Sequence, residues 1–175
     1  MKNLGKELQD QLKQVRLFGL DVDGVLTDGG VYILENGQEF RRFNIKDGLG
    51  LKRVMAIGIN VVWISSGTNP SIYHRAKQLG VRDVHLGVAD KFVLLSELCN
   101  QKGTDLIQVA FMGDDLTDLD VMRHVGMACA PADAVENIRQ VAAYVSDAPG
   151  GYGAVREVCD LLVASQSSHE NTSTP

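Results

Sequence analysis

The sequence predicts an α/β domain, a Rossmann-like parallel sheet flanked by helices, with a small β-hairpin insertion and no large cap domain. Three observations predict it. Short apolar runs alternate with segments of helical period along most of the 175 residues. The joints between them are short and carry Gly, Asn, Asp or Pro. Acidic residues follow directly on two of the apolar runs, at Asp21-Val22-Asp23-Gly24 and at Gly113-Asp114-Asp115, and ligand groups gather at such strand ends in an α/β sheet.

Leu4, Leu8, Leu12 and Val15 recur at near-helical spacing, so residues 1–14 form a helical extension before a domain spanning 15–164. The first strand is 17–20. Runs 31–34 and 39–43 flank Glu35-Asn36-Gly37-Gln38, where Asn36-Gly37 predicts a hairpin closed by a type I′ turn. Asp47 opens a helix that carries Leu49, Leu51, Val54, Met55 and Ile57. A mostly buried strand at 59–64 precedes a helix with Pro70 in its first turn and Gly80 at its end. Alternation continues through strand 81–86, helix 91–99, strand 106–112, helix 116–124, strand 125–130, helix 134–143, strand 144–145 and a last helix over 154–163. The Ser/Thr/Asn-rich tail 165–175 is expected to be disordered.

Composition narrows the function. A hydrophobic fraction of 45% fits a compact core, and a net charge of -5 argues against a nucleic-acid backbone as the main ligand. Cys99, Cys129 and Cys159 are widely spaced and form no CxxC pair, so they read as core thiols rather than a disulfide scaffold or a zinc site. His74, His85, His124 and His169 show no HxxxH ligand spacing. The N-terminus is polar, and no stretch approaches the ~20 apolar residues that span a bilayer. A soluble cytoplasmic protein without a membrane or nucleic-acid partner is expected.

Four strand ends then gather polar groups on one rim: Asp21 and Asp23, Ser65 and Ser66, Lys91, and Asp114, Asp115 and Asp118. The rim has no GxxxxGK[ST], no GxGxxG turn and no GxSxG elbow. Clustered carboxylates suit a hard cation such as magnesium. Asp21 and Asp23 lie two positions apart, so in extended backbone they share a face. One can attack phosphorus while the other protonates the departing alcohol and then activates water. Ser65 and Lys91 can hold the phosphoryl oxygens. Taken singly, Asp23 also reads as a capping carboxylate and Lys91 as a solvated amine. Gly150-Gly151-Tyr152-Gly153 reads either as a turn into the last helix or as a loop whose backbone closes on a substrate.

Asp21-Val22-Asp23-Gly24-Val25 resembles the first motif of the haloacid dehalogenase-like phosphatases, and Ser65, Lys91 and Gly113-Asp114-Asp115 fall where that family's second, third and fourth motifs stand. Within it, the chain resembles most closely the 3-deoxy-D-manno-octulosonate 8-phosphate phosphatases, through 21–29, the hairpin, 43–50, 113–122 and 150–162. The resemblance implies Asp21 as nucleophile and Asp23 as general acid/base. It implies Mg2+ bound by Asp21, the backbone carbonyl of Asp23 and Asp114, with Asp115 and Asp118 orienting that shell, and phosphate held by Ser65 and Lys91. It further implies a sugar-acid phosphate substrate on the route to lipopolysaccharide, and a homotetramer whose hairpins meet centrally while a neighbouring subunit helps cover each site. Val31, Ile33 and Phe40 are then candidate interface residues, their plain alternative being packing on the parent core. Arg156 reads equally as a ligand for a substrate carboxylate or as a solvated residue of the last helix.

One departure stands out. The family usually has Thr-Gly-Arg after the second strand, and this chain has Ser65-Ser66-Gly67. The hydroxyl donor survives, but a fixed positive fork is lost. A phosphatase for a nonulosonate 9-phosphate or another sugar phosphate is therefore a second expectation, and a catalytically inactive scaffold homologue a third.

Overall fold

The computed structural model describes residues 5–170, with side chains through 166. A six-stranded parallel sheet is built from β1 (Leu17–Leu20), β4 (Asn60–Ile64), β5 (Asp83–His85), β6 (Val109–Met112), β7 (Met127–Ala130) and β8 (Tyr144–Val145). Their order is β5-β4-β1-β6-β7-β8, so β1 is central and the chain reverses its direction of growth beside it. Leu20 pairs with Trp63 on one side and Met112 on the other, which brings the ends of β1, β4 and β6 to one level. That reversal opens the crevice in which such sheets bind ligands.

Alternate strand residues feed two cores. Phe18, Leu20, Val61, Trp63, Ala110 and Met112 pack under α1 (Lys6–Gln14), α2 (Ile45–Ala56), α3 (Ser71–Leu79) and α7 (Ala154–Glu170). Leu17, Val62, Ile64, Val109 and Phe111 face α4 (Lys91–Lys102), α5 (Leu119–His124) and α6 (Glu136–Val141). Both faces are apolar, so the strands read as continuous hydrophobic runs rather than alternating ones. Cys99, Cys129 and Cys159 lie buried in these cores as free thiols, and burial pushes the Cys129 thiol up to about 12. Between β1 and β4 the chain inserts only a hairpin, β2 (Tyr32–Ile33) with β3 (Glu39–Phe40), and α2; between β4 and β5 it inserts only α3. No cap domain fits in either interval. Among the described residues no helix is long and apolar enough to cross a membrane.

Several local expectations are corrected. The hairpin closes through a three-residue loop: Leu34 N–H donates to Gln38 O, Gly37 N–H donates to Leu34 O, and only Gly37 takes positive φ, at 81°. Asn36 stays at negative φ and accepts from Gln38 N–H, so the turn is type I with a glycine bulge rather than type I′. Asn44, not Asp47, caps α2, accepting from Lys46 N–H at 2.8 Å. Leu49 and Ile57 point outward, and α2 buries Asp47, Gly48, Gly50, Leu51 and Val54 instead. Helix α7 runs to Glu170, beyond the residue at which the expected tail begins, and Gln166 reaches back from it to the carbonyls of Lys13 and Val15. The rest of that expected tail, 171–175, and Leu4 of the N-terminal pattern lie outside the described residues.

Candidate active site

Asp21 follows β1 directly. Its backbone N–H donates to Met112 O at 3.0 Å, continuing the β1–β6 ladder one residue past the strands. The chain then leaves the sheet in a tight loop whose shape Thr27 sets: its buried Oγ1 accepts from the N–H groups of Gly24 and Gly29 at 3.2 and 3.3 Å. Gly24 adopts a φ of 91°, and a Cβ there would sit 2.0 Å from Asp114 Oδ2. Only glycine lets the first acidic loop approach the second.

The second loop leaves β6 at Gly113. Asp118 organises it: Oδ2 accepts from Asp114 N–H at 3.0 Å and Asp115 N–H at 3.4 Å, while Oδ1 lies 2.6 Å from Lys91 Nζ. Asp115 turns its carboxylate onto Leu116 N–H at 2.7 Å and lines the crevice. The carboxylates of Asp21, Asp114 and Asp118 come within 4.8 Å of one another. Lys91, the first residue of α4, is 3% exposed and reaches Asp21 Oδ1 at 2.8 Å. Burial alone would push its ammonium down, but the Asp21 and Asp118 charges hold it above its ordinary value.

One ammonium does not neutralise three gathered carboxylates. Burial and the Asp118 charge push Asp21 up to about 6, against the pull of Lys91. Burial and the Asp21 charge push Asp114 up to about 8. Asp114 Oδ1 is also buried without any protein hydrogen-bond partner. Hard, crowded oxygens that resist ionising and lack a donor suit a divalent cation. Asp21 and Asp114 fit it best, since Asp118 already spends both oxygens on Lys91 and backbone N–H groups.

Ser65 continues β4, is 1% exposed, and accepts from Gly67 N–H at 3.0 Å, which leaves its own proton to donate. Asp21, Asp23, Ser65, Lys91, Asp114 and Asp115 all line one crevice of about 280 Å³, together with Gly29, Ser66, Gly67 and Thr117. The plain alternative for Lys91, a solvated amine, is overturned by its burial.

Arg156 is not brought there. Its guanidinium Nε lies 2.9 Å from Asp160 Oδ2 one turn along α7, and its backbone N–H donates to Asp47 Oδ1 at 2.7 Å. The glycine-rich loop closes on the Asp21 loop rather than on the crevice: Gly151 N–H donates to Val25 O at 3.0 Å, and a Cβ on Gly150 would fall 1.8 Å from Gly24 O.

Two contacts escape the sequence reading. Asp47, expected to open α2, caps α7 from another helix instead. Arg41, just past β3, donates through Nε to Asp23 Oδ1 at 2.7 Å. The one visible signal for the latter is the pair Arg41-Arg42, two cations in an acidic chain directly after the hairpin.

The chain as a whole is similar to known proteins. A family model of haloacid dehalogenase-like hydrolases matches residues 72–155. The 3-deoxy-D-manno-octulosonate 8-phosphate phosphatase KdsC of Escherichia coli (strain K12) is 40% identical over 154 residues, 88% of this chain and 82% of that protein. A crystal structure of a hypothetical protein from Xanthomonas campestris superposes with a TM-score of 0.93 at 40% identity, covering 98% of this chain and 94% of that one. A 3-deoxy-D-manno-octulosonate 8-phosphate phosphatase from Moraxella catarrhalis, in complex with magnesium ion, phosphate ion and KDO, superposes with a TM-score of 0.90 at 35% identity, covering 95% of each chain.

Proposed function

The chain belongs to the haloacid dehalogenase-like hydrolases, and from that premise we propose a magnesium-dependent phosphomonoesterase that hydrolyses 3-deoxy-D-manno-octulosonate 8-phosphate. The products are 3-deoxy-D-manno-octulosonate and phosphate. The observation that carries this reading is the meeting of Asp21, Asp114 and buried Lys91 at the ends of two adjacent strands, with Asp23 lining the same crevice. The magnesium, phosphate and KDO held by the Moraxella relative support it.

Asp21, the backbone carbonyl of Asp23 and Asp114 would hold the cation, which when bound draws negative charge from the phosphoryl oxygens. Asp118 and Asp115 fix the loop that presents Asp114. Lys91 and the Ser65 hydroxyl meet the phosphoryl oxygens as charge grows on them. Asp21 attacks phosphorus, the bond from phosphorus to the ester oxygen breaks, and Asp23 gives its proton to the departing alkoxide. Asp23, now ionised, takes a proton from water as that water attacks the aspartyl-phosphate, which releases phosphate and restores both acids.

With no cap domain, water must be excluded by the substrate itself or by a second subunit. The exposed apolar hairpin, with Val31 63% and Ile33 65% exposed, supports contact with a second subunit, and the family resemblance implies that this assembly is a homotetramer.

Phosphate release tests the assignment. Turnover on the eight-carbon ulosonate phosphate should require magnesium, exceed that on nine-carbon ulosonate and hexose phosphates, and vanish in Asp21→Asn. Absence of turnover on every ester, with magnesium bound, would overturn it. Gly67, standing where an arginine is usual, favours the second reading of a nonulosonate 9-phosphate or another sugar phosphate. A reversed preference in the same experiment would select that reading.

A further inference from the structure

Asp23 is the residue whose proton must reach the leaving group, yet it sits on a loop with its side chain 37% exposed. A general acid works only within hydrogen-bond reach of the oxygen it serves, so a freely rotating carboxyl would spend little time in position. Arg41 removes that freedom. Its side chain is 8% exposed, with Nε 2.7 Å from Asp23 Oδ1 and Nη1 3.0 Å from Glu39 Oε2.

The segment carrying Arg41 is itself pinned on both flanks. Asn69, in the loop after β4, donates through Nδ2 to Glu39 O at 3.4 Å, and Phe43 bridges in antiparallel fashion to Thr27 of the Asp21 loop. Asp23 Oδ2 faces Gly67, where a Cβ would lie 3.0 Å from it. One carboxyl oxygen thus accepts from the Nε of a guanidinium whose Nη1 is held by Glu39, while the other stands over the loop that bears Ser65.

We propose that Arg41 is a positioning residue for proton transfer: by holding Asp23 Oδ1 it aims Asp23 Oδ2 at the ester oxygen that departs. This rests on Asp23 being the general acid/base of the reaction proposed above. Arg41 does not line the crevice, so it acts through Asp23.

A series of phenyl phosphates of similar size but different leaving-group acidity separates positioning from a mere tether of the hairpin. The kcat/KM of each ester reports events through departure of the alcohol. A p-nitrophenolate leaves without a proton, whereas an unsubstituted phenolate is helped by one. In Arg41→Met, kcat/KM should fall about tenfold or more on phenyl phosphate and less than about threefold on p-nitrophenyl phosphate. Arg41→Lys keeps the charge but not the fork and should show the same steepening in weaker form. A loss by one common factor across the series, or no loss, would overturn the proposal. Should Arg41→Met fail to fold, Arg41→Lys decides on the same criterion. Wild-type turnover abolished by Asp21→Asn establishes the phosphatase reading separately, so either idea can fall alone.

Discussion

Lys91 Nζ lies 2.6 Å from Asp118 Oδ1, with both side chains buried, and the same ammonium reaches Asp21 Oδ1 at 2.8 Å. The ammonium proposed to meet the phosphoryl oxygens is therefore also the counter-ion of the acidic cluster. Lys91→Met leaves two buried carboxylates without their cation, and removing one partner of a buried pair costs about 3–5 kcal/mol. Urea denaturation should show that loss in metal-free protein, with turnover abolished. A variant that keeps full stability would mean that the ammonium contributes nothing to the acidic cluster.

The raised acids make stability depend on pH with a definite sign. Asp21 and Asp114 stand at about 6 and about 8 when folded, above the 3.8 of an ordinary aspartate. The folded chain then binds more protons than the unfolded one between those values, so their contribution is favourable at low pH and is lost as pH rises through 6 and 8. Metal-free protein should lose thermal stability from pH 5 to pH 8 on this account. Magnesium, which binds the ionised acids, should raise Tm more at pH 8 than at pH 5. An equal increment at both values would contradict the proton-linked site.

What could be read from the sequence divides along a physical line. The strands and the rim positions of Asp21, Ser65 and Asp114 were legible because a doubly covered parallel strand is a continuous apolar run, and the residues that follow it lie on the ligand rim. Lys91 opens α4 rather than following a strand, and taken singly it reads as a solvated amine. Arg41 and Asp47 were not legible, because each acts on a partner 18 or 109 positions away and nothing local marks the meeting. Arg156 stayed open between a substrate ligand and a residue of the last helix for the opposite reason. Its type suits a carboxylate, but Asp160 lies four residues on along the same helix and takes it. The hairpin was visible and its turn was not, since Asn-Gly serves both a type I′ turn and a glycine bulge.

Gly24 gives the most direct test of the cation ligands. Its positive φ and the 2.0 Å approach of Asp114 Oδ2 mean that an added methyl must displace that carboxylate. Gly24→Ala should therefore weaken magnesium binding by about tenfold or more, measured by titration calorimetry. The circular dichroism spectrum should be unchanged, because the strands do not depend on this contact. Unaltered magnesium affinity would remove Asp114 from the ligand set.

The hairpin is where assembly and catalysis can be separated. Tyr32 and Phe40 stack on each other with centroids 4.9 Å apart, so the hairpin carries its own small apolar contact. Ile33 and Val31 remain in solvent, and the proposed homotetramer would cover them. Ile33→Asp places a charge in such an interface, where an unpaired buried charge is strongly unfavourable. Sedimentation should show a shift from tetramer to smaller species at micromolar concentration. Turnover on the sugar-acid phosphate should fall with it, since the open crevice then admits bulk water, while the unfolding transition of the dissociated chain keeps its denaturant slope because the sheet core is untouched. If Ile33→Asp sediments as the wild type does, the hairpin is not the interface, and the substrate alone must close the site.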